Sequence, residues 1–135
     1  MKLLAFSDLH TDTAAGRCLV EMATANAIQV AVGAGDFATM RKGLQPVIDG
    51  LSQLTCPVVL VPGNGESIEE LRSACAEYSH MHVLHGDSVV ILGQCFFGLG
   101  YAVPETPFGD WSCDLPEEAA AHLLEPCPAK SILVS

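Results

Sequence analysis

The chain has 135 residues, with 16 Asp and Glu against 6 Lys and Arg, a formal net charge of −10 and 50% hydrophobic residues. This is enough apolar material for one buried core in a single domain, read here as residues 1–135, and it excludes intrinsic disorder. Six cations cannot build the basic footprint that a nucleic-acid backbone or an anionic membrane surface demands.

In chain order, Lys2–Ser7 reads as a strand and Asp8–Thr13 as a polar loop. Residues 14–26 read as a helix with Leu19, Met22 and Ala23 on one side. The signal-like start Met1–Phe6 is interrupted at Ser7-Asp8-Leu9-His10, well short of a secretory apolar run. Ile28–Gly33 is the next apolar run and ends at Gly35-Asp36. Leu44, Val47, Ile48, Leu51 and Leu54 then have helical spacing. Val58–Val61 reads as a third strand, closed by Pro62-Gly63-Asn64. Ser67-x-x-Glu70 is a capping box for a helix with Ile68, Leu71, Cys75 and Tyr78 on its apolar face. Such a βαβαβα order predicts a mainly parallel sheet with covering helices.

Beyond residue 80 the pattern changes. Met81–Leu84, Val89–Leu92 and Cys95–Leu99 are short strands with Gly-containing turns, read as a meander. A loop with Pro104, Pro107, Phe108 and Trp111 follows; its aromatics are expected to pack over the sheet edge rather than wall a pocket. Asp114-x-x-Glu117 is expected to cap a short helix ending before Pro126, and Ser131–Val134 is expected to be a buried strand. A chain that stops directly after a core strand is expected to be the N-terminal part of a longer domain. The six cysteines are scattered without Cys-x-x-Cys, and are expected to be reduced, mostly buried thiols in a cytoplasmic protein.

Polar groups of metal-ligand type follow three successive strands: Asp8 and His10, then Asp36, then Asn64. In open α/β sheets the ligand crevice lies beyond the carboxyl ends of the strands, so these groups are expected to meet in space. Each has a plainer reading. Asp8 and His10 can cap a helix or line a loop, and Gly35-Asp36 and Gly63-Asn64-Gly65 are ordinary turn formers. Their recurrence at three strand ends favours a site. Mixed oxygen and imidazole donors suit Mn²⁺, Fe²⁺ or Zn²⁺ better than Ca²⁺. His80, His82 and His85 are expected to be solvated strand ends rather than a zinc site.

Asp8-Leu9-His10, Gly35-Asp36 and Gly63-Asn64-Gly65-Glu66 together make the sequence similar to the calcineurin-like metallophosphoesterase superfamily. The likeness extends to Phe97-Gly98-Leu99-Gly100 and Ser131–Ser135. It implies an α/β fold, an αββα sandwich whose C-terminal part is missing here. It also implies two divalent metal ions, with Asp8 and His10 on one, Asp36 bridging both, and Asn64 on the second. Asp36 and Asn64 would then be catalytic, and a metal-bridging hydroxide would hydrolyse a small phosphomonoester or phosphodiester. Such ions would also supply the positive charge that an acidic chain lacks. Glu66 either supports the site from behind or caps the next helix. The sequence departs from the family at Gly65, where many relatives have a His that can aid the leaving group. It also lacks the downstream His-x-Pro-Pro and Gly-His-x-His ligands, so this chain is expected to bind metal weakly. The alternative is a degenerate, non-catalytic scaffold that binds a protein partner. A receiver domain is disfavoured because the paired acids after the first strand and the late strand-end Lys are absent.

Overall fold

The computed structural model describes residues 1–135. Its elements are β1 (Leu3–Phe6), α1 (Thr13–Ala25), β2 (Val30–Ala34), α2 (Leu44–Leu51), β3 (Val58–Val61), α3 (Ile68–Cys75), β4 (Met81–Val83), β5 (Asp87–Ile91), β6 (Gln94–Gly98), α4 (Glu117–Leu124) and β7 (Ile132–Val134). Strands β1 to β4 form a parallel sheet in that order, with Ala5 opposite Val32, Val32 opposite Val59, and Val59 opposite His82. β2 and β3 are central and covered on both faces, which is why they are runs of Val, Ala and Leu without polar alternation. β1 lies at the edge: Leu4 and Phe6 are half-buried, while Leu3 and Ala5, on the face shared with Val30 and Val32, are exposed.

One face of this sheet carries helices α1 to α3. Ala31, Val58 and Leu60 meet Ala23 of α1, Val47, Ile48 and Leu51 of α2, and Leu71 and Cys75 of α3. The N-cap of α1 is Asp12, whose carboxylate accepts from Ala14 N and Ala15 N at 2.9 Å, so neither Asp8 nor His10 has that role. Ser67 and Glu70 form the reciprocal capping box of α3, as their spacing predicts.

The opposite face packs on a second sheet, ordered β5-β6-β7. Val30, Val32, Val59 and Val61 meet Ile91, Phe96 and Val134 across the sandwich. β5 and β6 are an antiparallel hairpin, whereas β6 and β7 run parallel and are joined through α4. Alternation turns Phe97 away from Phe96, yet it is equally buried, so the outer face of this sheet is covered at Phe97, though Leu133 beside it is half-exposed. At Gly98 the second sheet packs tightly on the first: an added Cβ would lie 2.4 Å from Leu84 Cβ and 2.7 Å from Val61 Cγ1.

Several expectations are corrected. β4 is the fourth strand of the parallel sheet and not the first strand of a meander, because Met81–Val83 pairs with Val58–Leu60. Met22 is 49% exposed; Ala15, Leu19, Val20 and Ala23 supply the packed side of α1. Asp114 does not cap α4, whose N-cap is Pro116 with no side-chain bond. Only Cys56 and Cys75 are buried, and all six cysteines are free thiols. Burial pushes the Cys75 thiol up to about 12. β7 is an edge strand with Leu133 half-exposed, so it is not buried on both faces. No helix is long and apolar enough to cross a membrane.

Two predictions follow from this packing. Gly98→Ala forces a methyl into the inter-sheet contact and is expected to lower the unfolding free energy by about 1–3 kcal/mol in urea titrations. His85, beyond the end of β4, accepts from Gly100 N through Nδ1 at 3.1 Å, and its ring lies 4.6 Å from that of Tyr101. Burial lowers its pKa, helped by Arg72 and opposed by Asp87 and Glu69. A depressed folded value means that its contribution is present above the ordinary histidine range and lost as pH falls through the lower folded value. Acidification from about pH 7.5 to about pH 5.5 should therefore destabilise the wild type more than His85→Asn.

Candidate metal centre

The parallel sheet sets the ends of β1, β2 and β3 side by side, and each is followed by a loop carrying one or two of the expected ligands. Asp8 follows β1, with His10 two residues on, and both are exposed. Their loop is laced to the next by backbone bonds: Asp8 N to Gly35 O at 3.0 Å, His10 N to Asp36 O at 2.9 Å, and Thr11 N to Phe37 O at 2.9 Å. These bonds hold Asp8 (φ 58°), His10 (φ 44°) and Thr11 (φ 68°) in the left-handed region, and Asp36 (φ 57°) shares it. For residues other than glycine that conformation is disfavoured, most of all for β-branched Thr.

Asp8, His10 and Asp36 each present one donor atom, and these atoms lie within 4.8 Å of one another. His10 Nε2 is 3.5 Å from Asp8 Oδ1. A borderline divalent ion fits this set of two carboxylates and one imidazole. Exposure leaves room for further ligands from water or substrate.

Asp36 is gripped by the loop after β3. Gly65 N donates to its Oδ1 at 3.1 Å, and a Cβ on Gly63 would lie 2.1 Å from the same oxygen. Gly35, at φ +88°, meets Gly63 backbone so closely that an added Cβ would lie 2.6 Å from its Cα. Only glycine allows the two loops to approach this closely. Asn64 thus stands between two residues in contact with Asp36. Its Nδ2 donates to Ser112 Oγ at 2.8 Å and its carbonyl accepts from Cys113 N at 3.0 Å.

Glu66 lies behind these loops, fully buried. Its Oε1 accepts from Gly63 N at 2.7 Å and its Oε2 from Ala38 N at 2.9 Å. Since Ser67 and Glu70 cap α3, Glu66 is not the cap, and its carboxylate ties the loop after β2 to the loop after β3. Burial pushes its pKa up, only partly offset by those backbone N–H groups.

His80, His82 and His85 form no metal-type cluster; Asp8, His10 and Asp36 are the one group that does. Phe108 and Trp111 stack on each other, centroids 5.7 Å apart and planes 7° apart, and Phe108 is exposed, so it does not pack over the sheet edge. Sequence reasoning missed the polar network around Asn64. Ser112 Oγ donates to Asp114 Oδ1, while Thr106 donates to Asp114 Oδ2 from both N and Oγ1 at 2.8 Å. The available signal is Ser112-x-Asp114 within a Pro-rich loop, which the cap-like spacing of Asp114 and Glu117 masks. Burial raises the Asp114 pKa, but the donors on Ser112 and Thr106 together outweigh it and hold the carboxyl below its ordinary value. Arg41, on the loop after Asp36, is taken up by Glu70 in a two-pronged ion pair at 2.8 and 2.9 Å.

Residues 1–106 match a family model described as the calcineurin-like phosphoesterase superfamily domain. Among solved structures, TT1561 of Thermus thermophilus is similar at a TM-score of 0.77 and 19% identity, over 90% of this chain and 59% of that one. A second solved structure has a TM-score of 0.74 and 14% identity, over 90% of this chain and 62% of its own. A third, described as a novel archaeal phosphodiesterase, has a TM-score of 0.59 and 21% identity, over 73% and 58%. These likenesses bear on the fold, and the chain spans about 60% of the length of each. No curated protein matches the chain.

Glu66→Gln tests the buried clamp. A carboxylate offers an acceptor to each of two backbone donors, whereas Gln offers one oxygen and sets its NH₂ against the other N–H. The variant is expected to lose about 1–3 kcal/mol of unfolding free energy in urea titrations.

Proposed function

We infer that this chain, which belongs to the calcineurin-like phosphoesterase superfamily, carries the metal-binding half of a site that hydrolyses a small phosphomonoester or phosphodiester. The observation that supports this most is the convergence of Asp8, His10 and Asp36 donor atoms within 4.8 Å on loops held in left-handed conformations. Asp8, His10 and Asp36 would hold one divalent ion. Asp36, shared with Asn64, would hold a second; manganese, iron and zinc all suit such donors. When bound, such ions supply positive charge against phosphate oxygens and make water a better nucleophile.

The protein's own contribution is placement. Gly65 N fixes one oxygen of Asp36, which sets the plane of the carboxylate and leaves the other oxygen available. The exposed Asp8 and His10 leave a small ester open access from solvent. Nothing at Gly65 can donate a proton to a departing oxygen, so a leaving group must depart largely on its own stability. Within this chain the second ion has only Asp36 and Asn64, so it should be held more weakly than the first. The cytoplasm is the proposed location.

Mn²⁺ added to the chain should raise its melting temperature, because a ligand that binds only the native state stabilises it by about 2.7 kcal/mol at one hundred times its Kd. Asp36→Asn should abolish most of that shift. No shift in the wild type would remove the metal reading and favour a non-catalytic, partner-binding scaffold. An aryl phosphodiester should turn over faster than an alkyl one, and equal rates would show that another group serves the leaving oxygen.

A further inference from the structure

An asparagine can act as a ligand only through Oδ1, and its carboxamide presents either end to a neighbour with almost the same shape. Something must therefore choose. In this structure Asn64 Nδ2 donates to Ser112 Oγ at 2.8 Å, while Oδ1 receives no hydrogen bond from the protein and is not among its buried unpartnered atoms.

The choice follows from where the protons must go. Asp114 as a carboxylate is acceptor-only. It takes the Thr106 N–H and hydroxyl on Oδ2 and the Ser112 hydroxyl on Oδ1. Ser112 has one proton and has given it to Asp114, so toward Asn64, as toward Thr106 Oγ1 at 3.0 Å, its oxygen can only accept. An amide turned the other way would set Oδ1 against that oxygen, acceptor against acceptor. The backbone bond from Cys113 N to Asn64 O, 3.0 Å, holds the two loops in register so that this contact is kept. Ala102 N to Cys113 O at 3.1 Å and Leu115 N to Ala102 O at 2.8 Å anchor the loop in turn.

We propose that Ser112 is a positioning residue: with Asp114 and Thr106 it fixes the proton order that turns Asn64 Nδ2 away and frees Oδ1 to bind a divalent cation. The proposal rests on the reading of Asn64 as a ligand. It assigns a role to Ser112 and Asp114, which lie beyond Thr106, the last residue of the family match.

The experiment is ¹⁵N NMR of the Asn64 side-chain amide in the full chain, without metal and during titration with diamagnetic Zn²⁺. In the wild type one Nδ2 proton should show the downfield shift of a hydrogen-bonded amide, and Zn²⁺ beyond the first equivalent should shift the Asn64 Nδ2 signal as Oδ1 takes the ion. Ser112→Ala should lose the downfield shift and weaken the Zn²⁺ affinity reported at Asn64 by about 10–100-fold, the usual cost of removing a group that orients a ligand. Ser112→Thr keeps the hydroxyl and should restore both. Asp114→Asn should reproduce the loss with Ser112 intact, since its amide can donate to Ser112 and let the hydroxyl proton turn toward Asn64 Oδ1. Wild-type signals and wild-type Zn²⁺ affinity in Ser112→Ala would overturn the proposal while leaving Asn64 as a ligand. Zn²⁺ that leaves the wild-type Asn64 signals unmoved would overturn the ligand reading and this proposal with it.

Discussion

Loops that leave two neighbouring parallel strands have free N–H groups and no ladder to pair them. In this chain one buried carboxylate takes up a donor from each: Glu66 joins Gly63 N, after β3, to Ala38 N, after β2. Charge-assisted bonds to N–H groups compensate the anion in a place where water cannot. The rest of the site hangs from this clamp. With the two loops drawn together, Gly63 and Gly65 close on Asp36, and the loop after Asp36 offers its carbonyls to His10 and Thr11. Asp8 is tied one residue earlier, to Gly35. A defect at Glu66 would therefore reach residues that it never touches.

The same geometry explains how so acidic a chain could handle an anionic substrate. Two cations, Arg41 and Lys42, lie on the loop that follows Asp36, and Glu70 already takes up the Arg41 guanidinium in a two-pronged pair. The strand ends thus present carboxylates, an imidazole and an amide, a surface that repels phosphate until cations are bound. Substrate affinity and metal affinity are coupled by charge in such a site, and neither is built from side chains alone.

The parallel half of the fold was legible because its signals are local. β2 and β3 are unbroken apolar runs, the capping box at Ser67 fixes the start of α3, and each strand end carries its polar residue within two positions. The second half was less legible. Met81–Val83 looks like any short strand, and only the partner at Val58 shows that it extends the first sheet. Asp114 lies three residues before a Glu, a spacing that suggests a cap, but Ser112 and Thr106 reach its carboxylate first. Glu66 adjoins a capping box and its burial depends on the packing of two distant loops, which no spacing rule records. The site's framework was legible in the strand ends, whereas the network around Asn64 spans 48 residues of sequence and needed coordinates.

The left-handed backbone at Asp8, His10, Thr11 and Asp36 has an evolutionary consequence. Glycine at any of these positions would relax a conformation that costs roughly 1–2 kcal/mol for an ordinary L-residue. A change to glycine at Asp8, His10 or Asp36 would thus relieve the backbone as it erased a donor, whereas most other side chains would be strained there more than these. For the backbone alone glycine is the better residue at each of these places, so relief of strain does not account for the donors that stand there.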